Sequence, residues 1–297
     1  MPRILLTGKN GQIGFELQRS LAVLGEVIAV GRRDCDFANP DVLRALVQDI
    51  RPDVIVNAAG YTAVDQAERE PELAYAVNAM APSILAAEAL RLDALLLHYS
   101  SDYVFDGRKA EPYLETDTPK PLSVYGRSKL AGEEAIHASG CRYLIVRISW
   151  VFGAHGDNFL KTILRLAHER QHLEVVADQY GAPTVASLIA DISAQLLVEC
   201  LQREQIQGTY HLTAAGETSW HGYAQTIVRA AQALGMPLTL SAEAIRAVTA
   251  IEYPLTAARP ANSRLDTRKL RQALGTTLPQ WQIGVADVIK QLYGTAR

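Results

Sequence analysis

Arg3-Ile4-Leu5-Leu6-Thr7-Gly8-Lys9-Asn10-Gly11-Gln12-Ile13-Gly14 decides how the rest of the chain is read. Arg3–Thr7 is a short apolar run suited to a buried strand, and an amphipathic stretch begins at Gln12. At their junction stand Gly8, Gly11 and Gly14, with two residues between each and the next. This is not the GxGxxG spacing of many dehydrogenases, but the physics is the same. The glycines allow a tight turn, leave backbone amides open to a pyrophosphate, and permit close helix–sheet contact at Gly14. The plain alternative is a strand–turn–helix junction with no ligand. Placement directly after the first strand favours the dinucleotide reading.

Working outward, short apolar runs alternate with longer amphipathic ones. Strands are expected at 27–30, 53–57, 94–100 and 143–148. Helices are expected at 12–24, at 40–49 with Asn39 as its cap, at 72–92, rich in alanine, and at 125–138. This alternation predicts an α/β fold: a Rossmann-like, doubly wound parallel sheet with right-handed crossovers. Residues 1–150 read as the dinucleotide-binding domain, with parts of 184–215 added to it. Residues 151–297 read mainly as a smaller, interleaved substrate-binding lobe. In that lobe, helices are expected at 158–169, 187–201 and 219–234, a strand at 208–213, and a ligand-reaching loop at 253–264. Ligands of such sheets bind beyond the carboxyl ends of the strands. Residues 8–14, 57–65, 100–105 and 150–153 fall there.

The 297 residues are 48% hydrophobic and 21% charged, which argues against disorder. A net charge of −3 and a pI near 6.2 provide no basic field for nucleic acid or an anionic membrane. Cys35, Cys141 and Cys200 lie far apart, with neither disulfide nor metal-ligand spacing. No stretch reads as a membrane span. A cytoplasmic protein with no resident metal is expected.

The chemistry is carried by Ser123-Val124-Tyr125-Gly126-Arg127-Ser128-Lys129. On a helix, Tyr125 and Lys129 share a face. An ammonium beside a phenol favours the phenolate and lowers its pKa from about 10. Ser101, in Ser100-Ser101-Asp102 at the end of the fourth strand, supplies a hydroxyl for a carbonyl oxygen or for the phenol. Tyr125 is then the proton donor, and Lys129 holds the nicotinamide ribose. Each piece has a plainer reading, as helix surface, cap or turn. Arg32, after the second strand, suits the 2′-phosphate of NADPH better than the ribose of NADH, although NADH remains open. Asp36 and Phe37 are placed to flank the adenine, and Ala58 and Gly60 are small enough for a cofactor to pass closely.

Taken in order, these motifs resemble the extended short-chain dehydrogenase/reductase superfamily. More narrowly, the chain resembles the dTDP-4-dehydrorhamnose reductase family over nearly its whole length. The resemblance rests on residues 51–59, on Tyr61-Thr62-Ala63-Val64-Asp65, on residues 98–105 and 147–153, on Asp178-Gln179-Tyr180-Gly181-Ala182-Pro183-Thr184, and on Arg259-Pro260-Ala261-Asn262-Ser263. It implies NAD(P)H-dependent reduction of the 4-keto group of a dTDP-linked 6-deoxy sugar, the last step to dTDP-L-rhamnose. It also implies that Gly11, Gln12, Ile13, Asp36, Phe37, Gly60, Tyr61, Thr62 and Tyr99 contact the cofactor. Ser101, Asp102, Tyr125 and Trp150 would contact the sugar nucleotide, with Val64 and Tyr103 nearby. Arg259 and Asn262 are candidates for the diphosphate. The family usually has threonine where Ser101 stands. Some relatives dimerise around a magnesium ion held by glutamates. Glu16 matches one of those positions without partners at the others, so a metal-bridged dimer is not expected, and a homodimer of another kind is left open. Related 4,6-dehydratases carry Asp-Glu after the fourth strand, whereas Asp102 is followed by Tyr103, which favours simple reduction. Two readings compete: another sugar-nucleotide reductase or epimerase, and a non-catalytic relative like the regulatory subunit of methionine adenosyltransferase.

Overall fold

The computed structural model describes residues 1–294; the last three residues of the expected lobe, 295–297, lie outside the described residues. The first half contains β1 (Arg3–Thr7), α1 (Gln12–Leu21), β2 (Glu26–Val30), α2 (Pro40–Ile50), β3 (Val54–Asn57), α3 (Val64–Ala67), α4 (Pro71–Tyr75), α5 (Ala81–Leu92), β4 (Leu95–Ser101), α6 (Val124–Ser139) and β5 (Arg142–Ile148). The second half contains β6 (Val151–Phe152), α7 (Phe159–Glu169), β7 (Leu173–Val176), β8 (Tyr180–Gly181), β9 (Thr184–Val185), α8 (Ala186–Gln202), β10 (Gly208–Leu212), β11 (Thr218–Ser219), α9 (Trp220–Ala233), β12 (Ile245–Val248), α10 (Arg268–Leu274) and α11 (Trp281–Gly294).

Six strands form one sheet in the order β10-β5-β4-β3-β1-β2, and every neighbouring pair in it is parallel. The strands β3 and β4 are buried along their whole length, as expected where helices cover both faces. One face packs Leu6, Leu97 and Val146 against Leu17 of α1 and Leu196 of α8. The other packs Leu5, Ile55 and Leu96 against Leu43 of α2 and Leu85 of α5. Each fully buried leucine contributes roughly 1.5–3 kcal/mol of transfer free energy. A separate core around Leu160, Ile227, Leu240 and Val285 belongs to the second half. The strand order reverses between β1 and β3, which opens a crevice at their carboxyl ends. There the Thr7 hydroxyl donates to Asn57 Oδ1 at 2.7 Å, tying the two strand ends together.

Several expectations need correction. The first helix stops at Leu21, and Leu24 closes a turn by donating to the Leu21 carbonyl. The alanine-rich helix begins at Pro71 and is interrupted by a π turn at Ala76–Met80. Pro82 explains the interruption, because it has no N–H to give to the carbonyl of Asn78 and its ring crowds that carbonyl. The composite stretch Pro71–Leu92 has 22 residues, and an 18-residue window within it has a mean hydropathy of 1.3, enough by length and composition to cross a membrane. That corrects the reading that no such stretch exists. Its Ala81, Ile84, Leu85 and Ala89 are instead spent on the protein core. In the second half, the parallel pair of β7 with β12 and the helices α10 and α11 were not read from sequence.

Candidate active site

The dinucleotide turn is built by contacts that exclude a side chain. Gly8 has φ +76°, and a Cβ there would lie 2.6 Å from the Ala58 carbonyl carbon. A Cβ on Gly14 would lie 2.0 Å from the Gly8 oxygen. Helix α1 then starts from Gly11 with no side-chain cap, so its first amides are left for an anion. A groove of ≈ 850 Å³ runs from Gly8 and Gly11 past Ala58, Gly60, Tyr61 and Thr62 to Arg32, Arg33, Asp36 and Phe37. Asp34 is not free for a ribose. Its carboxylate pairs with Lys9 at 2.7 Å and accepts from the Gly31 amide at 2.8 Å, and these contacts hold its pKa below the usual carboxylate range.

Sequence reasoning missed the residues that brace this groove. Asn78, fully buried in the π turn, accepts from the Tyr61 amide at 2.9 Å and donates to the Tyr61 carbonyl at 3.0 Å and to Ser128 Oγ at 3.0 Å. It thus ties the Gly60–Thr62 segment to α6. A π turn next to a ligand groove is the signal that could have found it, but no residue pattern advertises one. Asn158 donates to Gln12 Oε1 at 2.9 Å, closing the second half onto the turn.

The groove opens into a cleft of ≈ 580 Å³ that shares Gly11, Ala58, Gly60 and Thr62 with it. Ile13, Val64, Tyr99, Ser101, Asp102, Tyr103, Tyr125, Lys129 and Trp150 all line this cleft. Helix α6 is set in place at its start, where Ser123 Oγ caps it by accepting from the Gly126 amide at 3.1 Å. A Cβ on Gly126 would come within 2.2 Å of the Tyr103 carbonyl oxygen. That approach brings Tyr125 edge-on to Tyr103, with centroids 5.4 Å apart.

Burial governs the charges here. The Tyr125 phenol is pushed up to about 12 by burial, partly offset by a hydrogen bond with Ser101 and increased by the Asp102 carboxylate. Lys129 is pulled down to about 8 by burial, against the opposing pull of Glu133. Its ammonium donates to the Tyr99 carbonyl at 2.6 Å. The expectation that the ammonium makes the phenol more acidic is not met in the protein alone: burial raises the phenol, and the ammonium is engaged by the Tyr99 carbonyl instead. Asp102 is raised to about 6 by burial, with hydrogen bonds from Ser263 and Ser101 opposing. Ser101 Oγ donates to its Oδ1 at 2.9 Å, while Oδ2 is buried without a partner.

Four other expected residues sit differently from the reading. Trp150 has φ +48°, a left-handed backbone costing on the order of 1–3 kcal/mol. One face of its indole is stacked on Trp220 at 3.6 Å, so that face is not free for a sugar. Arg259 lines a neighbouring cavity of ≈ 420 Å³ but is held by Asp65 at 2.7 Å. Asn262 is not brought to the cleft: its amide donates to the carbonyls of Lys109 and Glu111 at 2.7 and 2.8 Å, and its oxygen accepts from Arg264. A side chain so fully used pins a loop. Tyr99 turns its ring into the main core, and only its backbone oxygen engages Lys129.

A parallel sheet whose first turn leads along one groove to a serine, a tyrosine and a lysine is built as a short-chain dehydrogenase/reductase. Comparison with known proteins narrows this. A family model described as the RmlD substrate binding domain matches residues 2–293, and the chain belongs to that family. It is 47% identical to the dTDP-4-dehydrorhamnose reductase of Escherichia coli K12 over 98% of each chain. It is 46% identical to that of Burkholderia thailandensis, over 98% of this chain and 99% of the relative. Among solved structures, the Bacillus anthracis dTDP-4-dehydrorhamnose reductase in complex with NADP is similar, with TM-score 0.89 and 34% identity. That match covers 98% of this chain and 99% of the other.

Proposed function

We propose that the chain is an NADPH-dependent reductase that converts the 4-keto group of dTDP-4-dehydro-6-deoxy-L-mannose to the alcohol of dTDP-L-rhamnose. The observation that carries the reading is the convergence of Ser101, Tyr125 and Lys129 on one cleft continuous with the dinucleotide groove. The relatives at 46–47% identity bear the reductase name, and a similar structure holds NADP. The groove suits that cofactor: an uncapped helix start for the diphosphate, a glycine floor a Cβ would fill, and Arg32 and Arg33 at the far end for a 2′-phosphate. When bound, it supplies the hydride.

The protein's own part follows from the charges. With its pKa near 12, Tyr125 keeps its proton at neutral pH, which is the form a reduction needs. As the keto oxygen gains alkoxide character, the phenol gives it that proton. Ser101, between phenol and Asp102, orients the oxygen. Lys129 stabilises the resulting phenolate and holds the cofactor ribose. The apolar cavity of ≈ 420 Å³ beside the cleft, lined by Phe159, Ile163, Val175 and Tyr253, suits the thymidine, and Arg259 at its border suits the diphosphate. The same reading makes the enzyme a cytoplasmic one, drawing on the cell's NADPH, and allows a homodimer. The test is stoichiometric: one NADPH should be oxidised per dTDP-L-rhamnose formed. Cofactor oxidation without that product would refute the assignment.

A further inference from the structure

We propose that Trp220 is a specificity-determining residue, the wall that holds the sugar and nucleoside ends of one substrate in register across two compartments. This rests on the reading of function above and adds a residue that the sequence did not single out.

The catalytic cleft and the neighbouring apolar cavity have two lining residues in common, Tyr103 and Trp220. These two form the doorway between the compartments. Tyr103 is fixed against Tyr125, so its side of the doorway is tied to the proton donor. Trp220 forms the other side. It is the first residue of α9, whose start Ser219 Oγ caps by accepting from the Gly222 amide at 3.1 Å. Its indole lies on Trp150 at 3.6 Å and 15° and is backed by Phe159 at 4.7 Å. Trp150 is pressed on by Gly181 as well, where a Cβ would lie 2.6 Å from the indole. Trp220 therefore has little room to move, and it fixes the position of Trp150 at the cleft.

A ligand with an aromatic base, an anionic linker and a keto sugar must thread this doorway. Arg259 stands on the base side and Ser101 and Tyr125 on the sugar side. A rigid wall converts nucleoside binding into placement of the ketone, so remote binding is expressed in turnover. Without the wall, the nucleoside still binds but no longer sets the sugar.

The experiment compares kcat/KM for the dTDP-linked keto sugar with that for the same keto sugar 1-phosphate, in the wild type and in Trp220→Ala. The preference for the nucleotide-linked substrate should fall about tenfold or more in the variant, mainly through kcat. NADPH affinity should be unchanged, and Trp220→Phe, which keeps a flat ring, should recover most of the preference. If Trp220→Ala fails to bind NADPH, Trp220→Leu is judged by the same criterion, because it refills the volume without a flat ring. A preference within twofold of the wild type overturns the proposal. A wild type inactive on the dTDP-linked ketone would instead overturn the function on which it rests.

Discussion

The Lys129 ammonium lies 2.6 Å from the carbonyl oxygen of Tyr99, so the end of β4, and not the phenol one helical turn earlier, anchors the cation. The lysine is thus a fixed charge at the back of the cleft. Its burial at the junction of α6 and the sheet makes that charge costly, and this determines how the site responds to pH.

The Lys129 pKa is about 8 against an ordinary 10.5. Between those values the unfolded chain binds more protons than the folded one, so this group's contribution to stability rises with pH across that window. Activity should move the other way. In kcat/KM against pH, an alkaline limb centred near 8 is expected as the free enzyme loses the cation, while the melting temperature gains from this group over the same range. A kcat/KM flat to pH 10 would show that the charge is not needed.

Asp102 has a raised pKa of about 6 against 3.8. Here the folded chain binds more protons between the two values, so stability falls as pH rises through that window. Above pH 6 the full cost, on the order of 3 kcal/mol, is present. Asp102→Asn should therefore raise stability at pH 8, flatten its pH dependence between 4 and 6, and lower turnover of the sugar. Denaturant melts of both proteins at pH 4, 6 and 8 check the first two claims.

Arg32 lines the far end of the cofactor groove while Asp34 is occupied by Lys9. Arg32→Asp should weaken NADPH binding by about 10–100-fold, the worth of roughly 1.5–3 kcal/mol for a charged hydrogen bond. NADH binding should change little. Fluorescence titration with both cofactors measures the ratio, and equal losses for the two would remove the 2′-phosphate assignment.

Much of this was legible because the fold writes itself locally. Apolar runs of four to seven residues gave the parallel strands, the three glycines gave the first turn, and Tyr125 with Lys129 gave the face of α6. What sequence missed depends on contacts between distant segments. The π turn itself is local, from Pro82 acting on the Asn78 carbonyl, but the role of Asn78 exists only because Tyr61 and Ser128 come to it. Asn262 looked like a ligand residue because polar loop residues often are, but its bonds go to Lys109 and Glu111. The expected fall in the Tyr125 pKa failed for a related reason: helical spacing reports proximity, while desolvation depends on everything packed around the phenol. Trp220 carried no signal at all, being one aromatic at a helix start until Trp150 folds onto it.

In the proposed reaction the Tyr125 phenol gives its proton to the reduced ketone. The direct test follows NADPH absorbance with the dTDP-linked 4-keto sugar for wild type and Tyr125→Phe, with cofactor affinity measured in parallel. Unchanged NADPH binding is expected, with turnover lower by about two to four orders of magnitude. Turnover at the wild-type rate in the phenylalanine variant would contradict it.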